Sequence, residues 1–600
     1  YEEAFLLEMF SRENNTIYYT LDGSIPTQSS KKYTGPILIE DASYNENVYS
    51  VRTDVTTRLE EGISETYTLS GAYTEYAVPD YLVDKCNIIR AVSYDEDGNA
   101  TEIVDKVYFV GYQTRSEYDN LYVVSITTDP DNLFGNENGI YVTGQNTISN
   151  YRQSGREWER EITLEIFDED RNSVLAQRVG LRVCGNSSRG YVQKSFNIYA
   201  REEYSGCDTL QADLFGTGYE ADKIKLFSGS DDNISKIKDY FSSHFAEDLN
   251  VCTVNMIPCV LFLNGEFWGV YYLSESFSEG YFDYYYNIND AFVVKNDAEE
   301  VGGPRGVLLY NDLNSLADDL DLSLDENYER IQQLVDVDSI IDNYAFEIFL
   351  ARYGDWPNTN FLLWRSVDIC DEVYGDNRWR WGLIDMNSFR PMEEMTLDFN
   401  ALHNAIMENQ AHLFRALLGN DEFKKQFCIR LMDIGNMLLT PENTIAFIDE
   451  YEELMSGAME LDHRRFYGDD REIDFAESMD STRIFFEERL LIQLEQINEE
   501  FGFENEITTV NLSVEGCSET ESLIKVNTMY PNLSEGTWRG VYIREYPMTL
   551  VAEERDGYEF VGWLLEDGSL ITENTIEIGL TEEEISIVEA SFEKTAAAET

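Results

Sequence analysis

In the segment GDWPNTNFLLW (354–364), Asp355 precedes Asn360 by five residues, behind a stretch of helical apolar spacing and ahead of an apolar run. A second apolar run, in RWRWGLIDMNSF (378–389), delivers another carboxylate, Asp385, just past its end. This is the layout of a catalytic loop followed by a metal loop in phosphoryl transfer. Asp355 would accept or orient the proton of an attacking hydroxyl. Asn360 and Asp385 would hold Mg²⁺ (or Mn²⁺), a hard cation that wants oxygen ligands. The spacing alone is a weak signal, because Asp and Asn are also common turn formers.

A second segment adds weight. VCGNSSRGYVQKSFNIYAR (183–201) holds a polar loop with Gly185, Arg189 and Gly190, then a strand-like run carrying Lys194. Phosphates are bound by backbone N–H groups and by a cation on a rigid element, and this segment offers both. No Gly-Lys-Ser/Thr follows, so it is not a Walker A loop. Residues 181–238 carry eight basic and eight acidic side chains, against 44 and 114 in the whole chain. A locally neutral stretch in so acidic a protein is expected to tolerate an anion such as ATP. Trp268 and Trp356 are expected in the core, and the charges of LDHRRF (461–466) on a helix surface.

The elements that must position these groups read as α+β. Strand-like runs at 121–128, 161–168, 194–201 and 260–275 come first, and helical periodicity takes over from Asp336. This central region spans 118–500. Residues 1–115 read as a small immunoglobulin-like β-sandwich, with Asp-Gly turns closing IYYTLDG (17–23) and NIIRAVSYDEDGN (87–99). Residues 506–594 return to β, and 595–600 read as a linker or truncated tail. A hairpin tip is expected at DICDEVYGDN (368–377).

Bulk properties narrow the partners. The 600 residues carry a net charge of −70, which repels nucleic acid and anionic lipid and suits a protein working outside the cell. No run of about 18 apolar residues exists to span a membrane. The opening YEEAFLLEMF lacks a basic n-region, so any signal peptide is expected to have been removed already. The eight cysteines form no CxxC pair and His numbers four, which argues against structural zinc. Buried thiols are expected, with Cys252 and Cys259 close enough in sequence to bridge.

The order GNSSRG…KSFNIYAR, LFSGSDDNISKIKDYFSSHFAEDL, VLFLNGEFWGVYYLSE, GDWPNTN and WGLIDMNSF resembles the CotH kinase family over residues 118–500. The resemblance implies a secreted bacterial protein with an atypical protein-kinase-like, two-lobed central domain flanked by small β domains. It also implies MgATP as cofactor and Ser or Thr of protein partners as acceptors. Carried over, Lys194 would meet the phosphates beside Gly185, Arg189 and Gly190, and Glu275 would lie at the adenine side or brace the site. Asp355 would be the catalytic Asp, with Asn360 and Asp385 as metal ligands. Lys238 stands where the family usually carries Arg. IYYTLDGSIPTQSSKKYTGPILI resembles the β module at the C-terminal end of chitobiase-type hexosaminidases, and GYEFVGWLLEDGSLI (557–571) resembles internalin B-type surface repeats.

Two other readings stay open on the residues alone. A catalytically silent surface scaffold or adhesin would use the same fold, with the β modules attaching to cell wall or glycan. A carbohydrate-active protein would need two carboxylates flanking a sugar, and no segment offers a raised-pKa acid in an aromatic cleft.

Overall fold

Asn264 and Gly265 separate two long apolar runs and both take left-handed backbone, φ 45° and 86°. That pairing makes the tight turn of a hairpin between Met256–Leu263 and Glu266–Glu275. All ten residues of Glu266–Glu275 are buried, so both faces of this strand are covered. Around it a seven-stranded barrel closes, in the order Arg160–Phe167, Ser173–Val183, Phe196–Tyr199, Lys223–Phe227, Glu266–Glu275, Met256–Leu263 and Tyr122–Thr127. Every pairing is antiparallel except Met256–Leu263 with Tyr122–Thr127, which is parallel.

The computed structural model describes residues 1–11, 15–57, 65–67, 73–296, 298–389, 397–408, 411–469, 474–503, 506–517, 522–553, 555–565, 567–582 and 584–594. The expected 595–600 tail lies outside them. The chain divides into two units: Tyr1–Tyr240 with Val254–Asn289 and Glu450–Met479, and Phe241–Thr253 with Asp290–Asp449 and Asp480–Thr600.

The first unit joins the barrel to the N-terminal β region. There, Lys31–Lys32, Thr16–Thr20, Asn87–Tyr94 and Val104–Tyr108 form one antiparallel sheet, and Phe5–Leu7 pairs with Ile37–Ile39. These sheets of four and two strands meet the immunoglobulin-like expectation only as an all-β region. Buried Glu266, in the barrel hairpin, anchors it by accepting the backbone N–H groups of Val48, Tyr49 and Ser50 at 2.5, 3.1 and 2.7 Å.

The second unit carries a four-stranded antiparallel sheet in the order Ala298–Val301, Ala291–Lys295, Leu362–Ser366 and Arg380–Gly382. The helix Val337–Phe349 belongs to the same unit and buries residues on every side, its buried acids paired inside, Asp342 with Arg430 at 2.5 Å and Glu347 with Arg352 at 2.8 Å. Residues 368–377 form the exposed connection of the last two strands, with Ile369 and Val373 76% and 84% exposed.

The C-terminal β region has a five-stranded and a three-stranded sheet. It is held to the helix Asp421–Asp433 by wholly buried Asp433, whose carboxylate accepts from Thr528 N and Oγ1, Asn527 Nδ2 and Tyr542 OH at 2.6–3.1 Å. No disulfide joins the eight cysteines. Among the described residues no helix is long and apolar enough to cross a membrane.

Two carboxylates give tests. Glu266→Ala strands three backbone donors and should cost on the order of 3 kcal/mol, with Glu266→Gln losing less, read by chemical denaturation. Burial outweighs the four donors at Asp433 and pushes its pKa up to about 6. A folded-state pKa above the unfolded one gives stability that is present at low pH and lost as pH rises through it. The C-terminal region should therefore lose about 1 kcal/mol between about pH 5 and about pH 7. Hydrogen exchange of Ile524–Val526 and Met548–Ala552 reads that loss, and Asp433→Asn should flatten it.

Candidate functional site

The helix Val337–Phe349 delivers the chain to Arg352, whose guanidinium is wholly buried. Its Nη1 donates to both Glu347 oxygens at 2.8 and 2.6 Å. Its Nη2 donates to the carbonyls of Ile384 and Asp385 at 3.0 and 2.6 Å, and Nε to Ser388 Oγ at 3.3 Å. One side chain three residues before Asp355 thus holds the backbone of the loop that carries Asp385. Burial pushes the Glu347 carboxyl up to about 7 against the pull of Arg352.

Beyond Arg352, Gly354 takes φ 81° and Asp355 emerges exposed. Thr359 N donates to the Asp355 carbonyl at 2.8 Å, closing a turn. Buried Trp356 pins that turn against Tyr344, ring centroids 5.5 Å apart. Asn360 follows in left-handed backbone, φ 58°.

The sheet sets the rest. Lys295, Leu362 and Gly382 face one another across three neighbouring strands. Asn360 lies two residues before that row and Asp385 three residues after it, so both leave the same end of the hairpin. Asp385 is left-handed at φ 48°, with its side chain 30% exposed, and its Oδ2 lies 3.6 Å from Lys295 Nζ.

Asp355, Asn360 and Asp385 supply two carboxylates and an amide oxygen, all hard donors. They fit Mg²⁺ by type, since that ion usually takes one or two carboxylates and fills its shell with water and phosphate. Among the described residues no cluster of three or more His, Cys, Asp or Glu side chains could hold a metal.

The other expected residues lie in the first unit. Gly185 takes φ 101°, and a Cβ there would clash with Ser188 Oγ. Arg189 donates to the carbonyls of Gly185 and Gln153 at 2.6 and 2.7 Å, and the Gly190 carbonyl accepts from Thr56 Oγ1 at 2.8 Å. Lys194 is fully buried. Its Nζ donates to the carbonyls of Arg189 and Tyr191 at 2.8 and 2.6 Å and lies 4.2 Å from the Tyr151 ring centroid. Burial and then Arg152 hold its pKa well below the usual lysine range. Two of its three donors are spent inside its own loop. Glu275 is also buried, accepting from Tyr285 OH at 2.5 Å and from Asn255 N and Nδ2 at 2.8 and 3.0 Å; burial raises its pKa.

The local balance of 181–238 also has an internal cause. Arg201 bonds buried Glu159 at 2.7 and 2.8 Å, with Arg182 3.6 Å from it, and Lys236 pairs with Asp462 at 3.0 Å. That last pair corrects the surface placement of LDHRRF. Asp462, His463 and Arg465 are buried, because Asp462 also accepts from Val270 N at 2.7 Å and Gln193 Nε2 at 3.1 Å. Trp268 and Trp356 are core residues, each 1% exposed. Arg352 and Lys295 escaped sequence reasoning. Each was signalled by a single cation interrupting an apolar run, FLARYG and AFVVK.

The family model described as CotH kinase protein matches residues 181–492, a little over half of the chain. That described as Fn3 associated matches residues 7–108. No curated protein matches the chain.

Arg352→Met leaves a buried carboxylate unpaired and should cost on the order of 3–5 kcal/mol. Adding Glu347→Met should restore much of that stability. Amide exchange at 384–388 should stay fast in the double variant, because the carbonyls of that loop still lack their donor.

Proposed function

The chain belongs to the CotH kinase family, and on that premise we propose that it is an ATP- and Mg²⁺-dependent phosphotransferase acting on Ser or Thr of protein partners outside the cell. What supports the reading is a single tie, the donation of Arg352 to the Asp385 carbonyl at 2.6 Å. It couples the segment ending in Asp355 to the loop of Asp385, as catalytic and metal loops must be coupled.

In this reading exposed Asp355 takes the proton of the acceptor hydroxyl as it attacks. Asn360 and Asp385 would hold the metal through their oxygens, and its charge would offset that of the polyphosphate. Arg352 keeps the Asp385 backbone in its left-handed turn, so the carboxylate is aimed before any ligand arrives. Lys194, Arg189, Gly185 and Gly190 act together as a stiffened loop of the first unit, with Lys194 bracing carbonyls. Glu275 serves as a brace through Tyr285 and Asn255. The net charge of −70 suits work outside the cell, and the β modules suit attachment to cell wall or glycan.

A second reading, a silent scaffold, draws on the internal engagement of Lys194. The two separate cleanly. Asp385→Asn should abolish Mg²⁺-dependent nucleotide binding in calorimetric titration. Asp355→Asn should leave binding within about twofold and lower phosphate transfer by about 10²- to 10⁴-fold, the usual range for a lost general base. Wild type that neither binds nor transfers with Mg²⁺ or Mn²⁺ would leave the scaffold reading.

A further inference from the structure

Lys295 closes an otherwise apolar strand, AFVVK, whose first four residues are buried and whose last is half-buried. Its position is firmly set. The next residue, Asn296, turns left-handed at φ 53°, donates its N–H to the Phe361 carbonyl at 3.3 Å and accepts from Phe361 N through Oδ1 at 3.3 Å. That reciprocal pair ties the strand end to the residue that follows Asn360. The Lys295–Leu362–Gly382 row then sets Lys295 at the end of the hairpin from which Asn360 and Asp385 emerge. Its Nζ lies 3.6 Å from Asp385 Oδ2, with the two side chains 33% and 30% exposed.

The contrast with the buried pairs of this protein is chemical. Arg352 with Glu347 and Lys236 with Asp462 have side chains at most 1% exposed and bonds of 2.6–3.0 Å. The Lys295 pair is longer and wetter, the kind of contact that contributes little to stability and exchanges readily. Lysine suits such an exchange because its ammonium is a compact charge on a flexible four-carbon stem.

We propose that Lys295 is an exchangeable counter-ion of this site. It sits on Asp385 while the site lacks metal, yields that carboxylate to the cation, and then turns its ammonium to the phosphates of the incoming nucleotide. The exchange is a change of partners in which no covalent bond forms or breaks. It rests on the metal and nucleotide reading above and adds a residue to it. It also explains why the single carboxylate of this loop is built with a lysine over it.

The test uses the full chain and Mn²⁺ alone as first probe, followed by paramagnetic resonance without nucleotide. Lys295→Met removes a competitor for Asp385 and should bind Mn²⁺ about two- to fivefold more tightly, the range a partly exposed pair allows. The same variant should bind the metal–nucleotide complex about tenfold more weakly, and Lys295→Arg should recover most of that loss. Its melting temperature should stay near wild type, so a folding defect would be visible. If Lys295→Met changes neither affinity while Asp385→Asn loses Mn²⁺, the exchange is wrong and the metal reading stands. If wild type binds no Mn²⁺, both fall.

Discussion

A guanidinium with all its donors occupied is hard to move, and Arg352 is in that condition. Its nitrogens reach two carboxylate oxygens, two carbonyls and a hydroxyl, each in the plane of a rigid fork. A lysine could not replace it, having fewer donors and no plane. The arrangement bears on backbone as much as on charge. Asp385 stands in left-handed backbone at φ 48°, a region that Asp enters more readily than most residues and that the fork here holds in place. Removing the fork would free Asp385 to relax, and the carboxylate would lose its aim. The candidate site therefore depends on a residue that touches no ligand.

The same economy recurs through the molecule. A net charge of −70 suggests carboxylates spread over a solvated surface. Several of the important ones are inside, used as acceptors for groups that would otherwise be stranded. Glu266 takes three backbone N–H groups, Asp462 a backbone N–H and the Lys236 ammonium, Glu159 the Arg201 guanidinium, and Asp433 four donors. A carboxylate offers about four lone-pair sites and so can close a cluster of donors at one point. This is also why the segment 181–238 is locally neutral: its cations answer interior acids.

Local rules carried the sequence reading as far as they reach. The strand-to-helix change near Asp336 announced the α+β order, whereas the run 260–275, read as one strand, is broken into a hairpin by the left-handed turn at Asn264-Gly265. The tip at 368–377 and the core placement of Trp268 and Trp356 were legible too. Closure of the barrel was not, because its parallel seam joins Tyr122–Thr127 to Met256–Leu263 across more than a hundred residues, and no periodicity encodes it. Lys295 was missed for the same reason, since it meets Asp385 only through the register of a sheet. The burial of Asp462 escaped because its partners, Lys236, Gln193 and Val270, come from distant segments.

Exposure to solvent separates the residues proposed to act on a substrate from those that hold the fold. Lys194 was attractive in sequence, a cation just past a glycine-bounded loop. Its Nζ is committed to two carbonyls and a tyrosine face, and lifting it out would take the donor from those half-buried carbonyls. Glu275 is committed in the same way to Tyr285 and Asn255. Asp355 is exposed, and Asp385 and Lys295 keep about a third of their side chains in water. Groups in that condition can change partners at little cost. The proposed chemistry would thus sit at the end of one short sheet, with rigidity placed behind it.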